Sequence, residues 1–140
     1  MSGFLLDTCV VSELIKAKPA AKVIRWIGSI GEDLLYLSVL TIGEIRKGIC
    51  QVEEPARRNK LEAWLVGSLS VRFDGRILEI GQDIAERWGM MTARAKSTNR
   101  ALPVIDGLLA ATAQHHNLTL VTRNIDDVIG TGVSVFNPWD

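Results

Sequence analysis

Short apolar runs alternate along this chain with longer stretches of helical periodicity. Phe4 to Leu6 is apolar and ends at Asp7; Val11, Leu14 and Ile15 then recur at helical spacing, so a strand passing into a helix is predicted. Pro19 is placed to open a second helix, in which Val23, Ile27 and Ile30 make one apolar stripe. Leu34 to Ser38 has the length of a buried strand, and the Thr41-Ile-Gly-Glu44 that follows matches the Ser/Thr-x-x-Glu signature of a helix start. Pro55 to Leu69 predicts a further helix, and Arg76 to Ile80 a third strand behind an Asp74-Gly75 turn. Gln82 to Ser97 carries Ile84, Trp88, Met91 and Ala95 at helical spacing, Lys96 to Arg100 reads as a polar loop, and Pro103 starts a helix running through Gln114. Leu118 to Thr122 and Val133 to Phe136 are the last two predicted strands.

Strands that alternate with helices predict an α/β chain, a three-layer α/β/α arrangement with a mostly parallel central sheet. Parallel neighbours need crossover connections, and these lay helices on both faces. With 140 residues, 47% hydrophobic and 23% charged, one domain over 1–140 is expected, with enough apolar material for a sizeable core.

Sixteen Lys+Arg against 16 Asp+Glu give a formal net charge of zero, which excludes a protein that grips phosphates through its overall charge. Any contact with nucleic acid must be local. Two cysteines, Cys9 and Cys50, make neither a disulfide framework nor a zinc cluster and fit a reducing cytoplasm. Apolar runs such as Leu34 to Leu40 fall far short of the roughly 20 residues a bilayer span needs, and Asp7 interrupts any cleavable leader. A cytoplasmic location without membrane contact is expected.

In sheets of this class, sites form outside the carboxyl ends of the strands, and the acids fall there. Asp7 directly follows the first strand, Glu44 is expected in the first turn of the helix after the second, and Asp106 in the first turn of the helix from Pro103. Asp126 and Asp127 follow the strand Leu118 to Thr122. Carboxylates gathered at one sheet edge repel and raise one another's pKa unless a cation is supplied. Oxygen-only ligands select Mg²⁺, with Mn²⁺ as a substitute, over zinc. The chemistry this suggests is phosphodiester hydrolysis, in which the ion activates water and neutralises charge on the phosphate. Setting aside Asp7, Glu44, Asp106 and Asp127 leaves 12 acids against 16 bases. Arg46, Lys47, Arg57, Arg58, Lys60, Arg94, Lys96, Arg100 and Arg123 are then candidates for phosphate contacts around an acidic centre.

Four ordered blocks, Leu-Leu-Asp7-Thr-Cys-Val-Val-Ser-Glu-Leu, Leu-Thr-Ile-Gly-Glu44-Ile-Arg-Lys-Gly, Val-Ile-Asp106-Gly-Leu-Leu-Ala-Ala-Thr-Ala and Leu-Val-Thr-Arg-Asn124-Ile-Asp-Asp127, resemble the PIN-domain family, with the nearest likeness to VapC-type and FitB-like toxins. The terminal Val-Phe-Asn-Pro-Trp139 is also similar to the FitB-like branch. The resemblance implies a PIN-like α/β/α fold and the toxin of a type II toxin–antitoxin system, a Mg²⁺- or Mn²⁺-dependent ribonuclease. It further implies a homodimer and a small VapB-like antitoxin that neutralises the toxin and alone binds promoter DNA. By the same likeness Asp7, Glu44 and Asp106 are metal ligands and catalytic residues. Asp127, or a water-mediated contact from Asn124, completes the site, and Thr8 and Thr122 are possible supports. Many relatives carry Asp at the position of Asn124 and Asn at that of Cys9, departures that would weaken activity.

Plainer readings stand beside these. Thr41-x-x-Glu44 as a capping box would use the glutamate only to satisfy a backbone N–H. Asp7 and Asp106 serve equally as helix-start acids, and Asp126 and Asp127 as an exposed turn. His115 and His116 at a helix end complement its dipole, Cys9 is a small buried filler, and Ser12 lacks a nucleophile elbow. Trp26, Trp64 and Trp88 read as core or interface anchors. Three competing functions are a DNA- or structure-specific PIN nuclease, a catalytically weak module that binds a partner or RNA, and a small-molecule phosphohydrolase. The last lacks the nucleophile loop it needs.

Overall fold

A computed structural model of the chain describes residues 3–140. Five strands, β1 (Phe4–Leu6), β2 (Leu35–Ser38), β3 (Ile77–Leu78), β4 (Thr119–Val121) and β5 (Val135–Phe136), form one sheet in the order β3-β2-β1-β4-β5, parallel at every pairing. Phe4 stands opposite Leu35 on one side and Thr119 on the other. Successive residues of a strand face opposite sides of the sheet. Leu6, Leu35, Leu37 and Val121 therefore join one buried cluster, and Leu5 and Leu120 a second one on the other face. Two dry faces explain why these runs are apolar throughout instead of alternating.

The first face is covered by α1 (Thr8–Glu13), α2 (Ala21–Ser29), α3 (Val39–Cys50) and a long helix. That helix begins as α4 (Pro55–Trp64), widens through a π-helical turn at Leu65–Leu69 and ends as α5 (Ser70–Arg72), presenting Leu65, Leu69 and Phe73 to the core. The second face is covered by α6 (Gln82–Ser97) and α7 (Val104–His115), which contribute Ile84, Met91 and Leu109. Gly107 permits the close approach here, since a Cβ on it would lie 3.1 Å from Trp88 Cδ1 and from Leu102. The expected three-layer α/β architecture is thus observed.

The strand order runs from β1 through β2 to β3, then returns to place β4 and β5 on the far side of β1. The order reverses between β1 and β4, and a crevice opens outside the carboxyl ends of two strands at such a reversal. Asp7 leaves β1 there and Thr122 leaves β4.

Several boundaries differ from the sequence expectation for local reasons. The helix expected from Thr41 begins at Val39, because Ser38 at the end of β2 accepts the Leu40 N–H at 3.1 Å and caps it. Thr41 is consequently buried inside α3, no capping box forms, and Glu44 sits in the second turn, not the first. Lys96 to Arg100 is not an open loop: Asn99 takes a left-handed φ of 57°, its N–H donates to Lys96 O at 3.1 Å and the Arg100 N–H to Ala95 O at 2.8 Å. This Schellman pair closes α6. The Asp74-Gly75 turn forms as predicted, with Gly75 at φ +80°, and the strand behind it shortens to Ile77–Leu78. Among the described residues no helix is long and apolar enough to cross a membrane.

Leu37 is fully buried between β2 and the helices above it. Leu37→Ala is expected to lower unfolding stability by about 2–5 kcal/mol through lost burial and the cavity left behind. A urea titration reading the shift in midpoint at constant slope checks this.

Candidate active site

Asp7 is held at the mouth of the β1/β4 crevice by four neighbours. Its own N–H continues the ladder to Val121 O at 2.9 Å. Its Oδ1 accepts the Thr8 N–H at 2.7 Å, so the residue caps α1, and its Oδ2 accepts the Thr122 hydroxyl at 2.7 Å and lies 3.6 Å from Cys9 Sγ. The residue is 5% exposed. The helix-cap reading of Asp7 is therefore observed, with Oδ1 committed to the cap and Oδ2 to Thr122 and Cys9.

Glu44 is joined to this arrangement through Thr8, whose hydroxyl donates to Glu44 Oε1 at 2.6 Å and lies 3.3 Å from the buried Thr41 hydroxyl. Thr8 thus links Asp7 through its backbone and Glu44 through its side chain. Thr122 is a second such support. Its oxygen also accepts the Asn124 N–H at 3.0 Å, which turns the chain out of β4 toward the 3₁₀ turn Ile125–Val128 that carries Asp126 and Asp127.

Asp106 lies in the first turn of α7 but caps nothing, that position belonging to Pro103. Its carboxyl is pushed up to about 6, first by burial and then by repulsion from Asp7, Asp127 and Glu44 in that order. Those repulsions define one electrostatic cluster made by the ends of β1, α3, α7 and the segment after β4. Asp126 exerts none of them, although it is exposed like Asp127 and lines the same cleft. Asp127 also walls a cleft of about 490 Å³ with Arg123, Asn124 and Asn137. Among the described residues no three His, Cys, Asp or Glu side chains converge as a preformed metal cage.

One buried acid lies outside the set that the sequence singles out. Glu13 is 2% exposed. It is paired with Lys16 at 2.9 Å, accepts the Ala20 N–H at 3.0 Å and reaches Arg123 at 3.9 Å. The Lys16 contact, foremost, holds its carboxyl below the usual range. Arg123 in turn lies over the Trp139 ring, 4.1 Å from the centroid, so this ion pair ties α1 to the segments after β4 and β5. A signal exists in the sequence: helical spacing from Val10 places Glu13 on the apolar stripe of α1.

The remaining candidates fall elsewhere. His115 and His116 sit at the far end of α7 from Asp106, edge to face at 4.9 Å. Trp26 packs between Phe4 and Phe136, with centroids 5.1 Å away in each case, and Trp64 and Trp88 pack against the two cores.

The PIN domain family model matches residues 4–127. The chain belongs to the PIN-domain family. It is 35% identical over 135 residues to Toxin FitB of Neisseria gonorrhoeae, covering 96% of this chain and 97% of that protein. To VapC ribonuclease Y4jK of Sinorhizobium fredii it is 33% identical over 136 residues, 97% of each. The crystal structure of FitAcB from Neisseria gonorrhoeae superposes with a TM-score of 0.93 at 34% identity, covering 97% of this chain and 98% of that one. DNA-bound VapBC from Salmonella typhimurium, at 20% identity and a TM-score of 0.78 over 99% of each chain, shares the fold.

Because the folded chain holds the Asp106 proton more tightly than the unfolded chain, its ionisation opposes folding. That cost is complete above about pH 6 and is relieved as the pH falls toward the ordinary value of 3.8. In a metal-free buffer, Asp106→Asn should therefore raise the melting temperature over the wild-type chain at pH 7.5 and gain little at pH 4.5. Equal gains at both values would show that repulsion among the acids is not what destabilises this edge.

Proposed function

We propose that this chain is the toxin of a toxin–antitoxin pair, a Mg²⁺- or Mn²⁺-dependent endoribonuclease working in the cytoplasm as a homodimer. The observation that carries this reading is the shared field of Asp7, Glu44, Asp106 and Asp127 at the β1/β4 reversal, in a chain whose relatives include a named ribonuclease. Asp7, Glu44 and Asp106 would hold the ion, and Asp127 would assist from the cleft beside them. Once bound, such an ion supplies an acidified water and Lewis-acid neutralisation of the phosphate.

The protein residues do the positioning. Thr122 and the Thr8 N–H keep Asp7 aimed, and the Thr8 hydroxyl fixes Glu44 beside it. Ligation of a cation would relieve the repulsion that, after burial, raises the Asp106 pKa. Cys9 offers Asp7 a weak thiol donor where many relatives have an amide. The favoured substrate is an RNA strand, and cleavage of a matched DNA strand in its place would favour the DNA-directed reading.

Asp7→Asn, Glu44→Gln and Asp106→Asn are each expected to reduce Mg²⁺-dependent RNA cleavage by about 100-fold or more. Growth inhibition by the toxin should disappear with it while the antitoxin complex still forms, and EDTA should abolish wild-type cleavage reversibly. Unchanged toxicity of Asp7→Asn would overturn the nuclease reading and leave a module that acts by binding.

A VapB-like antitoxin would neutralise the chain and alone contact promoter DNA; a relative at 33% identity, FitAB, has been solved bound to an IR36 DNA fragment. A cleft of about 520 Å³ at the end of α1 suits one of the antitoxin's helices: Ile15, Ala17 and Leu61 form the apolar floor, with Lys16, Arg57 and Lys60 around it. Arg57 and Lys60 are exposed at the rim of this cleft, and Arg58 turns back to Val52 O at 3.1 Å. Arg57→Glu with Lys60→Glu should weaken antitoxin binding and leave RNA cleavage unchanged. Pull-down against the cognate antitoxin, alongside the cleavage assay, reads both.

A further inference from the structure

Three of the nine basic residues that are candidates for phosphate contacts have other occupations, and Arg57 and Lys60 rim the separate cleft at the end of α1. Arg46 pairs with Glu62 at 2.7 Å, Arg58 with a backbone carbonyl, and Arg123 with Glu13 and Trp139. Arg94 and Arg100 differ. Both line a cleft of about 400 Å³ together with Thr98, Leu102, Ile129 and Gly130, and no acidic residue lines it. No salt bridge involving either arginine occurs among the described residues.

The cleft adjoins the candidate active site along the chain, and Leu102 in its wall packs against Gly107, the neighbour of Asp106. Leu102 precedes Asp106 by four residues, and Ile129 follows Asp127 by two, a stretch of chain that spans at most about 7 Å. The positive cleft therefore flanks the Asp106–Asp127 side of the acidic cluster.

One of its cations, Arg100, is also set in place before anything binds. The Schellman turn at Asn99 folds Arg100 back over the end of α6. Gly130, at φ +88°, leaves room for the side chain: a Cβ there would lie 3.4 Å from Arg100 Cδ. One guanidinium nitrogen, Nη1, donates to Ile129 O at 3.4 Å. A guanidinium has five N–H donors, so most remain for a ligand. Complementing the negative end of α6 does not account for both arginines. The last carbonyls of that helix already accept from the Asn99 and Arg100 N–H groups and from the Ser97 and Thr98 hydroxyls, the former hydroxyl reaching Arg94 O at 2.7 Å and the latter Ala95 O at 3.0 Å.

We propose that Arg94 and Arg100 form a clamp for a backbone phosphate of the substrate strand next to the bond that is cut. The inference rests on the nucleic-acid-cleaving reading above and adds to it the residues that set strand register. Guanidiniums match phosphate geometry, and the Arg100 side chain, already held over Gly130, loses little freedom on binding.

The test measures binding apart from cleavage. In an Asp7→Asn background, fluorescence anisotropy with a labelled single-stranded RNA of about 12 nucleotides compares Arg94 and Arg100 with the double Arg94→Gln, Arg100→Gln change, which keeps an aliphatic stem at position 100 over Gly130. The clamp predicts about tenfold weaker binding and a salt slope smaller by roughly 0.7 for each phosphate no longer neutralised. In the cleaving chain it predicts the same change in KM with kcat within about twofold, and partial rescue by Arg→Lys at both positions. Equal affinity and equal salt slope of the two chains, or a loss of affinity that comes with a lowered melting temperature and leaves the salt slope unchanged, would overturn it. A matched DNA strand run in parallel separates the two claims: arginine-dependent binding of DNA but not RNA keeps the clamp and overturns the ribonuclease reading. Absence of wild-type binding to either strand overturns the clamp.

Discussion

Four carboxylates sharing one field at the edge of a sheet are the constraint on which this structure turns. Asp106 bears it most visibly, lifted to about 6 by burial and by Asp7, Asp127 and Glu44. A protein selected for stability alone has no reason to hold such a group in place. The surroundings commit hydrogen bonds to keeping the acids close: two donors on Asp7 and one on Glu44, each from a threonine side chain or backbone. A hard divalent ion would turn this repulsion into attraction.

The fold provides the place. Strands that wind outward from β1 in both directions leave a crevice between the ends of β1 and β4, and the two apolar cores hold those ends fixed against helices on either face. Asp7 inherits its rigidity from the β1 ladder through the bond to Val121, and Asp106 inherits its own from α7, which Gly107 lets press against α6. Acids that lie far apart in the chain come within electrostatic reach of Asp106 because each one follows a strand or sits near the start of a helix.

Much of this was legible in the sequence. Uniformly apolar runs announced strands covered on both faces, and the positions of Asp7, Asp106 and Asp127 after strands or at helix starts announced a common edge. Glu44 was harder, because Thr41-x-x-Glu44 has the spacing of a capping box. Only the competing cap at Ser38, which draws the helix start back to Val39, shows that Glu44 is free to meet Thr8. Lys96 to Arg100 looked like loop because a left-handed asparagine and a backbone cap carry no hydrophobic period. Glu13 was hidden differently: an acid on an apolar stripe is readable as an anomaly, but of its partners Lys16, Ala20 and Arg123 the last is distant in the chain.

The most direct test of the central claim is to locate the ion. Crystals of the chain grown with Mn²⁺ and measured at the manganese absorption edge are expected to give an anomalous peak among the carboxylates of Asp7, Glu44 and Asp106, absent in Asp106→Asn. A peak elsewhere on the molecule, or none at this edge of the sheet with Mn²⁺ in excess, would contradict the account.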